Sequence, residues 1–284
     1  MPQYKAPLRD TRFLINDVLD YPGHYAQLPN GNEATPDVVD SILDHCAAFC
    51  EGVLAPLYQS GDKEGCKLEN GVVTTPKGYK AAYDQFVEGG WQGLSHPEIY
   101  GGQGMPMSLG VFKAEMMGTA NWAFNMYPGL SLGAMNTIML HGTEEQRMAY
   151  MPPLTEGRWM GTMCLTEPQC GTDLGQVSSK AVPRGDGSYD VTGTKIFISA
   201  GDHDLCENIV HVVLARIPGA PAGTRGISLF IIPKFLPSAD GGKGDFNNVV
   251  CSGIEHKMGI KASATCTIEF EGSRAFMLGL ENKG

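Results

Sequence analysis

At 284 residues the chain can bury a sizeable core and is long enough for two domains. A formal net charge of −10 argues against a nucleic-acid binder, which needs clustered Lys and Arg to meet phosphates. No apolar run reaches the ~18 to 20 residues of a membrane span, and the start MPQYKAPLRDTRF has no charged-then-apolar signal layout. The sequence therefore reads as a cytoplasmic protein without a membrane span. Its eight cysteines include no CxxC pair, so neither a zinc ribbon nor a thioredoxin-type site is indicated, and most are expected to be reduced core residues.

In chain order, Thr35-Pro36 opens a helix whose apolar residues Val38, Val39, Ile42, Leu43, Cys46, Ala47, Cys50 and Leu54 recur every three to four positions. Thr75-Pro76 reads as a second helix start, with Tyr79, Ala82, Tyr83, Phe86 and Val87 on one side and Gly89-Gly90 as the stop. After the loop GGQGMP (101 to 106) come apolar helical stretches at roughly 107 to 118 and 122 to 140, rich in methionine and read as core. Thr143-Glu144-Glu145-Gln146 starts a further helix with acids in its first turn. After Pro152-Pro153 the period changes. YDVTGTKIFISA (189 to 200), NIVHVVLARI (208 to 217), GISLFIIP (226 to 233) and ATCTIEFEG (264 to 272) read as strands, with GDGS (185 to 188) as a turn. The expected architecture is α+β: an N-terminal extension (1 to 34), a helical domain (35 to 158) and a β domain in barrel or sandwich form (159 to 284). His141 and His256 are expected at element ends, and GDHD (201 to 204) as a solvated turn.

The segment CLTEPQCGTD (164 to 173) concentrates chemistry, and four readings of it are open. A metal site would need convergent ligands, yet no histidine is near and the two cysteines fall on a strand and its following loop. A nucleophile would want a base close by. A structural turn would need only the Pro and Gly. A cradle would use the hydroxyls of Thr166 and Thr172, the freedom of Gly171 and the N–H groups leaving a strand to meet phosphate or a polar heterocycle. Glu167 and Asp173 read as turn and capping residues and not as a catalytic pair.

CLTEPQCGTD, together with KIFISAGDHD (195 to 204) and HGTEEQRMAYMPPLTEGRW (141 to 159), resembles the flavin-binding core of the acyl-CoA dehydrogenase family. The start YKAPLRDTRFLINDVLDY (4 to 21) resembles the N-terminal extension of the larger bacterial members. The resemblance implies FAD as cofactor. It places backbone contacts to the flavin pyrimidine edge at Met163 and Leu165 and a hydroxyl contact at Thr166. Gly171 would be among the cofactor-binding residues, and Thr172 would lie near the pyrophosphate and the acyl-CoA thioester end. Phe197 would cover one flavin face, Ile198 follows it, and the Ser199 hydroxyl would reach N5. Such donors stabilise the anionic reduced ring and raise its potential. Two departures from the family pattern, Cys170 before the glycine and Gln176 where many members have glycine, bear on the loop's path.

The implied reaction is oxidation of an acyl-CoA thioester to the trans-2-enoyl-CoA in fatty acid metabolism, with electrons passed to an electron-transfer flavoprotein by a homo-oligomeric enzyme. An acyl-CoA oxidase and a non-catalytic flavin- or CoA-binding scaffold are the alternatives. In the family a C-terminal helical domain carries the catalytic Glu, whereas this chain stops at LGLENKG. The resemblance thus implies a fragment, inactive alone, with no catalytic residue and no metal ligand in the stretch given.

Overall fold

A computed structural model describes residues 3–284. Its first half is helical: α1 (Leu8–Phe13), α2 (Tyr21–Tyr25), α3 (Pro36–Phe49), α4 (Ala55–Glu64), α5 (Tyr79–Glu88), α6 (Met107–Ala120), α7 (Trp122–His141) and α8 (Glu144–Glu156). The α3 start is as expected, with the Thr35 side chain accepting from the Val38 N–H and Pro36 at the first helical position. A wide π turn over Cys50–Leu54 joins α3 to α4. It sits just ahead of Pro56, whose ring and missing N–H a regular turn could not accommodate. Thr143 and Gln146 cap α8 reciprocally, each side chain bonding the other's backbone N–H.

Two expectations for this half are corrected, a helix start at Thr75 and an uninterrupted run of helices. Thr75 does not open a helix. Its N–H and hydroxyl both donate to Asp204 (3.0 and 2.7 Å), and α5 begins only at Tyr79, after Gly78 in the left-handed region. Pro152 and Pro153 both lie inside α8, which stops at Gly157 (φ 81°), close to where the change of period was expected. A hairpin of β1 (Lys67–Glu69) and β2 (Val72–Thr74) interrupts the helices, turning at Asn70-Gly71, where both residues have positive φ.

The second half holds β3 (Trp159–Cys164), β4 (Lys180–Pro183), β5 (Tyr189–Ser199), β6 (Asn208–Ala215), β7 (Ser228–Pro233), β8 (Phe235–Pro237), β9 (Lys243–Phe246), β10 (Val249–Ile254) and β11 (Thr265–Leu278). The expected strand ending at residue 272 is thus longer, and β11 serves two neighbourhoods. Residues 265–275 pair with β5 and 266–270 with β10, whereas 276–278 pair with β7. The sheet order is β3-β6-β7-β11-β5-β4, with β3 and β6 parallel and the other pairs antiparallel. Closure comes from the ends: the Ala181 N–H donates to Arg216 O (2.8 Å), and the Ile196 N–H to Thr166 O (2.9 Å). Ala181, Val191, Ile198, Val213, Phe230, Ile232, Ile268 and Phe270 fill the barrel.

Helix α7 seats the two halves against each other. An added Cβ at Gly161 of β3 would lie 2.4 Å from the Ala134 Cβ, so only glycine lets α7 approach this closely, and the Gly161 N–H donates to Ser131 Oγ (2.9 Å). The buried Tyr127 hydroxyl donates to Ala262 O and accepts from the Ala264 N–H, both at 2.9 Å. Asp202 and His203, expected in a solvated turn, are also buried at this seam. Asp202 pairs with Lys234 (2.6 Å), and the His203 ring stands edge-on to Tyr127 at 4.9 Å. Burial, with the nearby Lys234 charge, pushes the imidazole down to about 3, so His203 is a neutral packing group. Its partners are remote in sequence, which is why a polar tetrapeptide reads as solvated. His141 does end α7.

Candidate functional site

The residues singled out on CLTEPQCGTD and KIFIS lie on two segments that the barrel brings side by side. Strand β3 delivers the first: Met163 is its one exposed residue, and Leu165 and Thr166 continue past its end. Glu167 and Cys170 then exchange backbone hydrogen bonds (2.9 and 3.0 Å) around Pro168-Gln169, a tight turn that leaves Gly171, Thr172 and Asp173 exposed. The Asp173 carboxylate accepts from the Gly175 N–H and from Gln176 Nε2 (3.1 and 2.9 Å). Both departures from the family pattern therefore have places: Gln176 ties the loop to Asp173, and Cys170 packs with Val177, Leu214 and Ile227.

Strand β5 delivers the second segment. Val191 and Lys195 face inward with the alternation of a regular strand, and Ile198, of opposite parity, also faces inward. The switch happens at a bulge, where Ile196 and Phe197 together oppose Thr267, between the pairs Lys195↔Ile268 and Ile198↔Cys266. Phe197 takes φ 59°, and Ala200 follows at φ 53°. A bulky residue in the left-handed region costs about 1–3 kcal/mol and persists only where its surroundings impose it. The outcome is a large ring held 55% exposed beside the β3 loop. Ile198, by contrast, is only 2% exposed in the barrel core, so only its backbone is available to a ligand. Among the described residues, the hydroxyls of Thr166, Thr172 and Ser199 have no hydrogen-bond partner.

What joins the segments is a residue that sequence reasoning missed. Lys195, fully buried, donates to Glu167 Oε1 (2.8 Å) and to Leu165 O (3.0 Å). Glu167 is thus more than a turn residue. It also accepts from the N–H and hydroxyl of Ser178 and of Ser179, between 2.6 and 3.1 Å. Burial alone would push its carboxyl up, yet the hydrogen bonds from Lys195, Ser179 and Ser178 outweigh that and hold it at about 2. Arg216 was missed as well: its guanidinium donates to the carbonyls of Gly175, Val177, Pro221 and Gly223, pinning the loop's far side. Inward parity on β5 was the available signal for Lys195; nothing local marks Arg216.

The cysteines answer the rival readings. All eight are free, and Cys164 is buried against Thr162 and His211, with its Sγ 3.6 Å from each partner atom. Burial raises its thiol to about 12, so it stays protonated and is no nucleophile. Replacing Cys164 and Cys170 together by Ala is expected to leave ligand binding and turnover of the full-length protein within about tenfold, ~1.4 kcal/mol. Loss of a stoichiometric metal, or of all activity with the fold intact, would show otherwise. Phe197→Asn tests the ring's exposure. Asn tolerates the left-handed region, so stability to denaturant should hold or rise by about 1 kcal/mol, whereas a ring packed into a core would cost ~3–5 kcal/mol on removal.

Both segments fall within a stretch that comparison with known proteins matches as one domain. The profile of the acyl-CoA dehydrogenase N-terminal domain matches residues 37–158, and that of the middle domain matches residues 162–273. The chain belongs to the acyl-CoA dehydrogenase family. It is 45% identical over 281 residues to 3-methylmercaptopropionyl-CoA dehydrogenase of Ruegeria pomeroyi, covering 99% of this chain and 48% of that protein. It is 36% identical over 271 residues to a butyryl-CoA dehydrogenase of Syntrophomonas wolfei, covering 94% and 44%. It thus spans about half the length of these relatives. Among solved acyl-CoA dehydrogenases, butyryl-CoA dehydrogenase from Megasphaera elsdenii superposes with a TM-score of 0.71 at 27% identity, over 87% of this chain and 60% of that one. An acyl-CoA dehydrogenase from Bacillus anthracis, solved in complex with FAD, gives 0.70 at 25% identity, over 99% and 42%. The helical half followed by a β half is the fold of this family. No helix among the described residues is long and apolar enough to cross a membrane.

Proposed function

We propose that this chain is the FAD-holding portion of an acyl-CoA dehydrogenase, divided into an extension (1 to 34), a helical domain (35 to 158) and a β domain (159 to 284). The observation that carries the reading is the Lys195–Glu167 weld, which fixes a loop of unpartnered hydroxyls beside an exposed, left-handed Phe197. An isoalloxazine ring offers a flat apolar face and an edge of acceptors, and this surface answers both. Met163, Leu165 and Thr166 would meet the pyrimidine edge, Gly171 and Thr172 the pyrophosphate side, and Thr172 the thioester end of the substrate. Phe197 would lie along one face, the Ile198 backbone would follow it, and Ser199 would donate to the ring.

When bound, the flavin supplies hydride acceptance, and in this reading the residues from Trp159 onward would hold it. In this reading the hydroxyls would donate where charge gathers on the ring, and Glu167 stays out of proton transfer because Lys195, Ser178 and Ser179 hold its carboxylate. In the whole enzyme, an acyl-CoA would be oxidised to the trans-2-enoyl-CoA, a homo-oligomer would be the working form, and an electron-transfer flavoprotein would take the electrons. The test is the visible spectrum of the full-length protein. Stoichiometric FAD, bleached by an acyl-CoA under nitrogen and restored by electron-transfer flavoprotein, is expected. Purification without flavin, and no binding of added FAD, would overturn the proposal; rapid restoration by oxygen alone would make the protein an oxidase.

A further inference from the structure

The N-terminal extension lies outside both family domains, the first of which is matched from residue 37. It is nonetheless firmly seated on the helical half. Arg12 donates to Asp40 and Asp44 of α3 (2.9 and 2.8 Å), Glu51 accepts from Lys5 and from the Ala6 N–H (2.6 and 3.0 Å), and the Tyr4 hydroxyl donates to Met116 O (3.1 Å). Helix α1 and the π turn that continues it, Leu14–Val18, bury Thr11 and Ile15 on the inner side. The outer side is apolar as well: Phe13, Leu14, Val18 and Leu19 are 42–56% exposed. The wide turn gathers them. Its Leu19 N–H donates to Leu14 O (2.9 Å), five residues back, which sets 18 and 19 one turn beyond 13 and 14, where a regular helix would rotate them apart by ~140°.

A surface helix ordinarily turns a polar face to water, and a cluster of large exposed apolar side chains marks a contact. The lengths of the relatives indicate what makes it. Butyryl-CoA dehydrogenase from Megasphaera elsdenii superposes on 87% of this chain, and that part makes up 60% of it. The proteins from Ruegeria pomeroyi and Bacillus anthracis match 99%, extension included, yet this larger part makes up only 48% and 42% of them. More of this chain accounts for less of theirs, so the relatives that share the extension carry chain that the shorter protein lacks. We infer that the outer face of α1 and its π turn is a docking surface for an apolar segment of the whole protein that follows Gly284 and that shorter family members lack. The inference goes beyond the flavin reading and does not depend on it. Extension and added segment would occur together because each covers the other, and Arg12 passes the hold on to α3. A second copy of the extension is a poorer occupant, since a self-complementary patch needs no added chain and would not follow protein length.

The test uses full-length protein carrying photo-reactive benzoylphenylalanine in place of Phe13 or, in a second protein, of Val18. After irradiation, peptide mass spectrometry is expected to find both positions joined to peptides that follow Gly284 and have no counterpart in the Megasphaera elsdenii protein. Cross-links confined to residues 3–284 of any copy, to the downstream stretch that the shorter protein shares, or to another protein would overturn the inference, and so would no cross-link at all. In the double variant Leu14→Ser, Val18→Ser the outer face loses its apolar character while Thr11 and Ile15 keep their places. Limited proteolysis is expected to clip the added segment about tenfold faster than in the wild type, with clipping elsewhere unchanged. An equal rate in a folded variant would overturn the docking; should the variant not fold, the cross-links decide.

Discussion

Lys195→Met is expected to destabilise the β domain by about 3–5 kcal/mol, because it leaves Glu167 charged, buried and without its cation. Part of the loss should return in the double variant Lys195→Met, Glu167→Leu, which removes the stranded charge, although the hydroxyls of Ser178 and Ser179 would then lose their acceptor. Denaturant unfolding of the four proteins of this cycle measures the coupling; additive effects would mean that the pair is not the weld described. The acid response follows from the same carboxyl. A folded value of about 2, below the ~4.3 of an unfolded Glu, gives stability that is present above about pH 4.3 and lost as pH falls through about 2. Without Lys195 the carboxyl loses its main charged partner, so Lys195→Met should lose stability at higher pH than the wild type.

Ser199→Ala in full-length protein is expected to lower the limiting rate of flavin bleaching by saturating acyl-CoA about 10- to 100-fold, with a smaller effect on acyl-CoA binding. The hydroxyl has no partner among the described residues, so its removal should not touch the fold, and the thermal midpoint serves as control. A shift of the bound flavin's reduction potential to a more negative value is the second readout, since a donor to the reduced ring favours that form. An unchanged limiting rate and potential, with FAD content intact, would remove Ser199 from the site and weaken the case for KIFIS as the second segment.

The parts legible in sequence were those with local causes. Thr35-Pro36 and the Thr143 start are side-chain caps within four residues, and both stood. Residues 189–199 and 208–215 read as strands because β-branched residues crowd there. Thr75-Pro76 misled because its hydroxyl is taken by Asp204, 129 residues away, before it can cap anything. β3 was only half visible, since WMGTMC has no alternation: nearly all of it is buried, and its glycine answers to Ala134 on α7. At the cradle, motif residues could be named from resemblance, but the left-handed Phe197 could not. A bulge depends on how β5 registers against β11, seventy residues later, and no propensity of phenylalanine announces it. Lys195 was hidden for a related reason: lysine is almost never fully buried, and only the distant Glu167 explains why this one is.

The double service of β11 bears on how such a chain can be made. Its fourteen residues are the shared neighbour of β5, β7 and β10, and they follow every other strand among the described residues. Until Thr265 has left the ribosome, β5 has only the four residues of β4 as a ladder partner, and the pairing that creates the Phe197 bulge does not exist. Loops of this span close slowly, and the exposed edges of β5 and β7 are open to misassociation while they wait. The helical half is synthesised first, whereas the ligand-holding surface takes its shape only in the closing moments of synthesis of this stretch. Slow codons or a chaperone acting before residue 265 would therefore protect the cradle more than any other part of the molecule.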